Sequence, residues 1–273
     1  MKKTIIIAIP LLVIGLIVML YGGYRYNKTN KVYKEADRAY NDMTYHIKRR
    51  PTADSLPATG ETGTNAEFLQ PHGMQDEIEY VQIPYFDIDY DALQMISEDA
   101  VAWLYAPDSV IDYPVMKATD YYYYLNHLPN GTANANGSLF IDFNNSSDFT
   151  DELTVIYGHH MRSGSMFGNL KDYKEQAYYE NNPYMYLYTE NGNYRVDLLY
   201  GSVIGAGVWR DHAFMYAENL QELLDYVAEN TTFIADFEYR EGDRILALST
   251  CSYEFNNARY LVVGILRDAV MAL

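Results

Sequence analysis

From residue 101 onward the chain is cut into short apolar runs, and this restricts its fold more than any other feature. Val101–Tyr105, Val110–Val115, Gly137–Asp142, Leu153–Tyr157, Tyr184–Thr189, Tyr194–Ile204, Ile245–Leu248 and Tyr260–Leu266 each have strand length and polar or turn-forming neighbours. Pro107-Asp108 and Asn144 to Asp148 read as turns, and Asn191-Gly192 as a hairpin tip. Helical signals are few. Asp91 can cap a short helix over Ala92 to Asp99, Tyr121 to His127 is an aromatic turn or helix, and Ser165 to Glu180 is polar and partly helical. Phe214, Ala217, Leu220, Leu224 and Val227 line one face of a single helix from His212 to Asn230, just before the last two strands. Short strands in such number, with so few helices, predict a mainly β fold: a closed or nearly closed mixed β-barrel of about seven or eight strands.

The first fifty residues are different in kind. Ile5 to Gly23 carries no charge, close to the roughly 20 residues of a spanning helix. An uncleaved single-pass anchor over residues 1–24 is the expectation, with a cleaved signal peptide as the alternative. Lysines and arginines flank the run on both sides, so the charge rule does not orient it. Val32, Ala36, Ala39, Met43 and Ile47 recur at helical spacing within Thr29–Arg50, giving an amphipathic helix over 25–50. It has three possible partners: the main domain, a second copy, or lipid. Residues 51–76 are rich in Pro, Thr, Gly, Asn and Ala and read as a linker, and 77–273 as the main domain.

Charge narrows the partners. The net charge is −17, yet the first fifty residues carry +7 and the remainder −24. An acidic main domain argues against nucleic acid, whose phosphates need clustered cations. The basic start beside an apolar run points to a membrane surface.

Chemistry concentrates around the single cysteine, Cys251, which excludes an internal disulfide. It stands at the end of the run Ile245–Leu248, and Arg259 follows across a loop. A thiol at a strand end near a cation suits an activated nucleophile, while a small buried hydrophobe is the plain alternative. His159 follows the strand Leu153–Tyr157 through Gly158, which lets the backbone turn and the imidazole project. It either faces the cysteine or satisfies a buried hydrogen bond. A zinc site from His159, His160 and Cys251 would lack paired-cysteine spacing and a fourth ligand.

With those residues in place, most of 77–273 resembles the sortase family. Tyr157-Gly158-His159-His160-Met161 is similar to its histidine motif, Leu248-Ser249-Thr250-Cys251 to its nucleophile motif, and Arg259 falls where the family's arginine follows. Class B fits best, through Ile111-Asp-Tyr-Pro-Val115, Tyr123-Tyr124-Leu125-Asn126-His127 and Gly137-Ser-Leu-Phe140. The resemblance implies a sortase-like barrel with an N-terminal helix and one long helix before the penultimate strand. It implies a membrane-anchored cysteine transpeptidase, its catalytic domain outside the cell, that cuts a C-terminal sorting signal between Thr and Gly. Cys251 would form the thioester, His159 would act as acid and then base, Arg259 would bind the oxyanion or orient substrate, and Ser249 would contact substrate. His160 and His127 are read as structural. No cofactor and no metal site is carried over. The implied partners are surface proteins bearing a sorting signal and a peptidoglycan or lipid-linked amine.

Two rivals stand beside this reading: another cysteine peptidase or transpeptidase of the cell envelope, and a non-enzymatic adhesin or pilin-like module. Leu56-Pro-Ala-Thr-Gly60 in the linker looks like a sorting signal out of place, either by coincidence or as a tethered pseudo-substrate. Class B enzymes usually prefer an Asn-Pro-type signal, which weakens the second option.

Overall fold

A barrel needs every strand edge paired, and the strand order meets that demand. The computed structural model describes residues 2–49, 81–84, 86–213 and 219–272. Its main strands are β4 (Ala100–Tyr105), β5 (Asp112–Lys117), β6 (Leu139–Ile141), β7 (Leu153–Tyr157), β8 (Tyr184–Thr189), β9 (Asn193–Gly205), β10 (Ile245–Cys251) and β11 (Ala258–Ala272). They run in the order β10-β7-β6-β5-β4-β8-β9-β11, and β11 pairs back onto β10 to close the ring. Most neighbours are antiparallel, but β10/β7 and β5/β6 are parallel, so the barrel is mixed, as expected. A short strand β2 (Val81–Pro84) adds to the far end of β11, and β1 (Lys48–Arg49) pairs with β3 (Asp87–Ile88).

Alternation along the strands sorts side chains between the inside and the outside. Leu246, Leu248, Ile156, Leu139 and Val262 point inward into one core cluster. Their neighbours Ile245, Ala247, Val155, Leu261 and Val263 point outward, and are buried there beneath Leu220, Leu223, Leu224 and Val227 of helix α5 (Leu220–Glu229). Both faces of β7, β10 and β11 are therefore apolar, which explains why their runs read as continuous rather than alternating.

The helices depart from expectation in detail. After the short helix α3 (Gln176–Asn181), in place of one helix over 212–230 there are two, α4 (Ala206–Ala213) and α5, which lie against one another. The short helix α2 (Tyr90–Ile96) is capped by Asp89, whose carboxylate accepts from the Ala92 amide at 2.9 Å, not by Asp91. The cap lies two residues before the one the pattern suggested, and Asp91 is in the first turn.

The first helix, α1, runs without a break from Lys2 to Ile47. Ala36, Tyr40, Met43 and Ile47 are buried against the barrel. Of the three partners left open, the main domain is the one contacted. Lys48 fastens the end: its ammonium lies 2.7 Å from Asp112 and 3.8 Å from the Phe86 and Tyr105 ring centres.

The expected membrane span does not hold. Among the described residues, no helix is long and apolar enough to cross a membrane. The single-pass membrane protein with an outward-facing catalytic domain is corrected accordingly. The linker over 51–76, with Leu56–Gly60, lies outside the described residues.

Candidate active site

The outer face of the β7-β10-β11 patch is covered by α5 at one end and open at the other. Register settles what stands at the open end. Cys251 pairs with Arg259 across the antiparallel β10–β11 ladder, and Ser249 pairs with Tyr157 across the parallel β10–β7 ladder. Period-two alternation puts Ser249 and Cys251 on the same outer face as Ile245 and Ala247. Carrying the parallel register two residues past Tyr157 and Ser249 brings His159 alongside Cys251. All four expected residues, Ser249, Cys251, His159 and Arg259, line one cleft of about 350 Å³.

Each is held by its own local chemistry. Cys251 is only partly buried, at the point where β10 leaves the covered core. The histidine strand is tied to the cysteine strand twice: the Gly158 amide donates to the Ser249 carbonyl at 3.2 Å, and the Thr250 hydroxyl donates to the Gly158 carbonyl at 2.8 Å. Gly158 must be glycine for packing reasons. A Cβ there would sit 2.5 Å from Leu139 and 2.6 Å from Phe167. The His159 ring nitrogen Nε2 lies 2.7 Å from the Leu125 carbonyl. A carbonyl only accepts, so Nε2 carries the hydrogen and Nδ1 is left for exchange.

Arg259 stands out electrostatically in an acidic chain. Among the described residues its guanidinium meets no carboxylate; Nη1 donates only to the neighbouring Ala258 carbonyl at 3.0 Å. The cleft thus presents a cation with donors to spare. Among the described residues the buried Ser249 hydroxyl has no partner, so it too has bonding capacity toward the cleft.

The loop after the cysteine is clamped. The Lys174 ammonium and the Ser252 hydroxyl both donate to the Glu254 carboxylate. Burial opposes the charge on Glu254, but those two hydrogen bonds override it and bring the carboxyl down to about 2. His160 plays a different part from His159. Its ring meets Tyr253 edge-on at 5.3 Å, and burial pushes its pKa down. Among the described residues no cluster of three or more His, Cys, Asp and Glu is placed to hold a metal ion.

A family model for the sortase domain matches residues 104–267. The chain belongs to the sortase family. Sortase B of Listeria monocytogenes is 30% identical over 176 residues, 63% of this chain and 71% of that protein. The structure of a Staphylococcus aureus sortase B–substrate complex is similar with a TM-score of 0.62 and 26% identity, over 67% of this chain and 86% of that one. Sortase B of Clostridium perfringens gives a TM-score of 0.60 and 30% identity, over 65% of this chain and 98% of that one. This sortase is accordingly of class B, a cysteine transpeptidase whose family acts on sorting signals.

Sequence reasoning missed most of the rest of the cleft wall. Tyr121, Tyr122, Leu125, Phe140 and Tyr157 form one side, and Ala206 and Trp209 of α4 lie near Arg259 on the other. The aromatic run at Tyr121–Tyr124 was the one visible signal. Nothing in the local pattern tied it to His159, because the tie is a backbone carbonyl.

Proposed function

We propose that this sortase cuts a sorting signal between Thr and Gly and passes the acyl group to a cell-wall amine. The observation that carries the reading is that Cys251 on β10, Arg259 on β11 and His159 just past the end of β7 line one cleft. The Cys251 thiolate attacks the Thr carbonyl and the carbonyl oxygen becomes an anion. Arg259, with no carboxylate partner among the described residues, stabilises that anion. Collapse expels the Gly amine, which takes a proton from His159 and leaves a thioester on Cys251. The incoming amine then gives its proton to His159 and displaces the sulfur. Because Nε2 stays on the Leu125 carbonyl, the proton moves through Nδ1. Ser249 binds the substrate backbone or a polar side chain through its unpaired hydroxyl.

The donors would be surface proteins carrying such a signal, and the acceptor a peptidoglycan or lipid-linked amine. The test is a peptide library with mass spectrometry of the products, run on wild type, Cys251→Ala, His159→Ala and His160→Ala. Wild type should cut after Thr, the first two variants should be inactive, and His160→Ala should keep most activity. Cleavage elsewhere, or by Cys251→Ala, would overturn the scheme.

A further inference from the structure

His159 is gripped from two sides, and both grips lead back to α1. On one side its Nε2–H meets the Leu125 carbonyl. That carbonyl belongs to the 121–128 turn, which is locked from beneath by Gly137 and Ser138. The Ser138 amide donates to the Tyr124 carbonyl at 2.8 Å and its hydroxyl to the His127 carbonyl at 2.8 Å. Gly137, at a φ of +60°, lies so close that a Cβ would come 2.4 Å from the Tyr124 oxygen and 2.8 Å from the Leu125 oxygen. The Gly137 carbonyl is in turn taken by the Tyr40 hydroxyl of α1 at 2.6 Å, and the same hydroxyl is 3.3 Å from Ser138 Oγ. About two helical turns before Tyr40, the Val32 carbonyl accepts from Asn134 Nδ2 at 3.1 Å.

On the other side the Phe167 amide donates to the His159 carbonyl at 3.0 Å. The preceding residue, Met166, donates its amide to the Tyr113 hydroxyl at 3.3 Å, and the Tyr113 ring meets Tyr40 edge-on at 4.9 Å. Tyr40 therefore stands at the root of both routes.

We infer that Tyr40 is a positioning residue for His159, acting through Gly137–Ser138 and the Leu125 carbonyl. Burial pushes the Tyr40 phenol far up, so it keeps its proton and donates throughout the working range. A helix that only packed on the barrel would need no hydroxyl here; the ring alone would fill the space. The link to turnover rests on reading His159 as the proton-transfer group.

Tyr40→Phe in the full chain keeps the ring and removes the bond. Two readouts decide the matter: steady-state kcat and KM on a quenched fluorescent peptide with an Asn-Pro-type signal ending in Thr-Gly, and the ¹⁵N spectrum of the His159 ring. The expected result is a fall in kcat of about 3–10-fold with KM unchanged, together with a shift of the His159 ring nitrogens toward mixed tautomers. Ser138→Ala, which breaks the next link, should move both readouts the same way and stands in should Tyr40→Phe fail to fold. Unchanged kcat and an unchanged ring spectrum would overturn the inference, even if the variant melts earlier. His159→Ala separates the two claims. If it turns over normally the catalytic reading falls, while the ring spectrum still judges the brace.

Discussion

Cys251 and Arg259 are register partners on adjacent antiparallel strands, one carrying a partly buried thiol and the other a guanidinium that meets no carboxylate among the described residues. In an acidic chain this pairing sets the field of the cleft. Arg259→Ala should lower kcat/KM by about 10²–10³-fold, the usual cost of losing an oxyanion donor. Arg259→Lys should recover only part of it, because an ammonium lacks the planar fork. Steady-state kinetics on the peptide substrate measure both.

Thr250 joins the two strands that carry the histidine and the cysteine. Thr250→Val keeps the shape and leaves the Gly158 carbonyl without that donor. The expected loss is about 1–3 kcal/mol of stability, seen as a lower urea midpoint at unchanged slope, with reduced kcat.

Gly158→Ala would drive a methyl group into Leu139 and Phe167. Overpacking of this kind costs about 1–3 kcal/mol. Because the strain falls on the residue before His159, kcat should drop by more than the loss of folded protein explains. Activity normalised to the folded fraction checks this.

How much of this was visible beforehand depended on range. The strands on either side of Cys251 announce themselves locally, since Ile245–Leu248 and Tyr260–Leu266 are buried on both faces and read as unbroken apolar runs. The Cys251, His159 and Arg259 positions follow from strand ends, which sequence also marks. The Leu125 carbonyl, Tyr40 and Trp209 carried no such mark, because register and helix packing bring them to the site over long separations. Tyr40 fell outside the apolar list read for its helix for a simple reason: its hydroxyl is polar, and the Gly137 carbonyl that accepts it and the Tyr113 ring beside it come from distant parts of the chain. The split of α4 from α5 was hidden because the apolar spacing runs on through the residues between them.

Acid should loosen the loop after the cysteine. The folded Glu254 carboxyl sits near 2, below its ordinary 4.5, so its contribution to stability is whole above about pH 4.5 and is lost as pH falls through 2. Glu254→Gln should therefore be less stable than wild type by a constant margin at neutral pH. That margin should shrink between pH 4.5 and 2. Denaturant titrations of the two proteins across this range give the difference, and a margin that grows on acidification would mean the clamp is misassigned.

The most direct measurement is the intact mass of the enzyme incubated with a sorting-signal peptide in the absence of an acceptor amine. An adduct equal to the acyl fragment ending in Thr should appear on wild type, map to Cys251, and discharge when an amine is added. It should be absent from Cys251→Ala and should form far more slowly in His159→Ala. Turnover without any adduct, an adduct mapped to another residue, or product formation by Cys251→Ala would contradict the thioester mechanism.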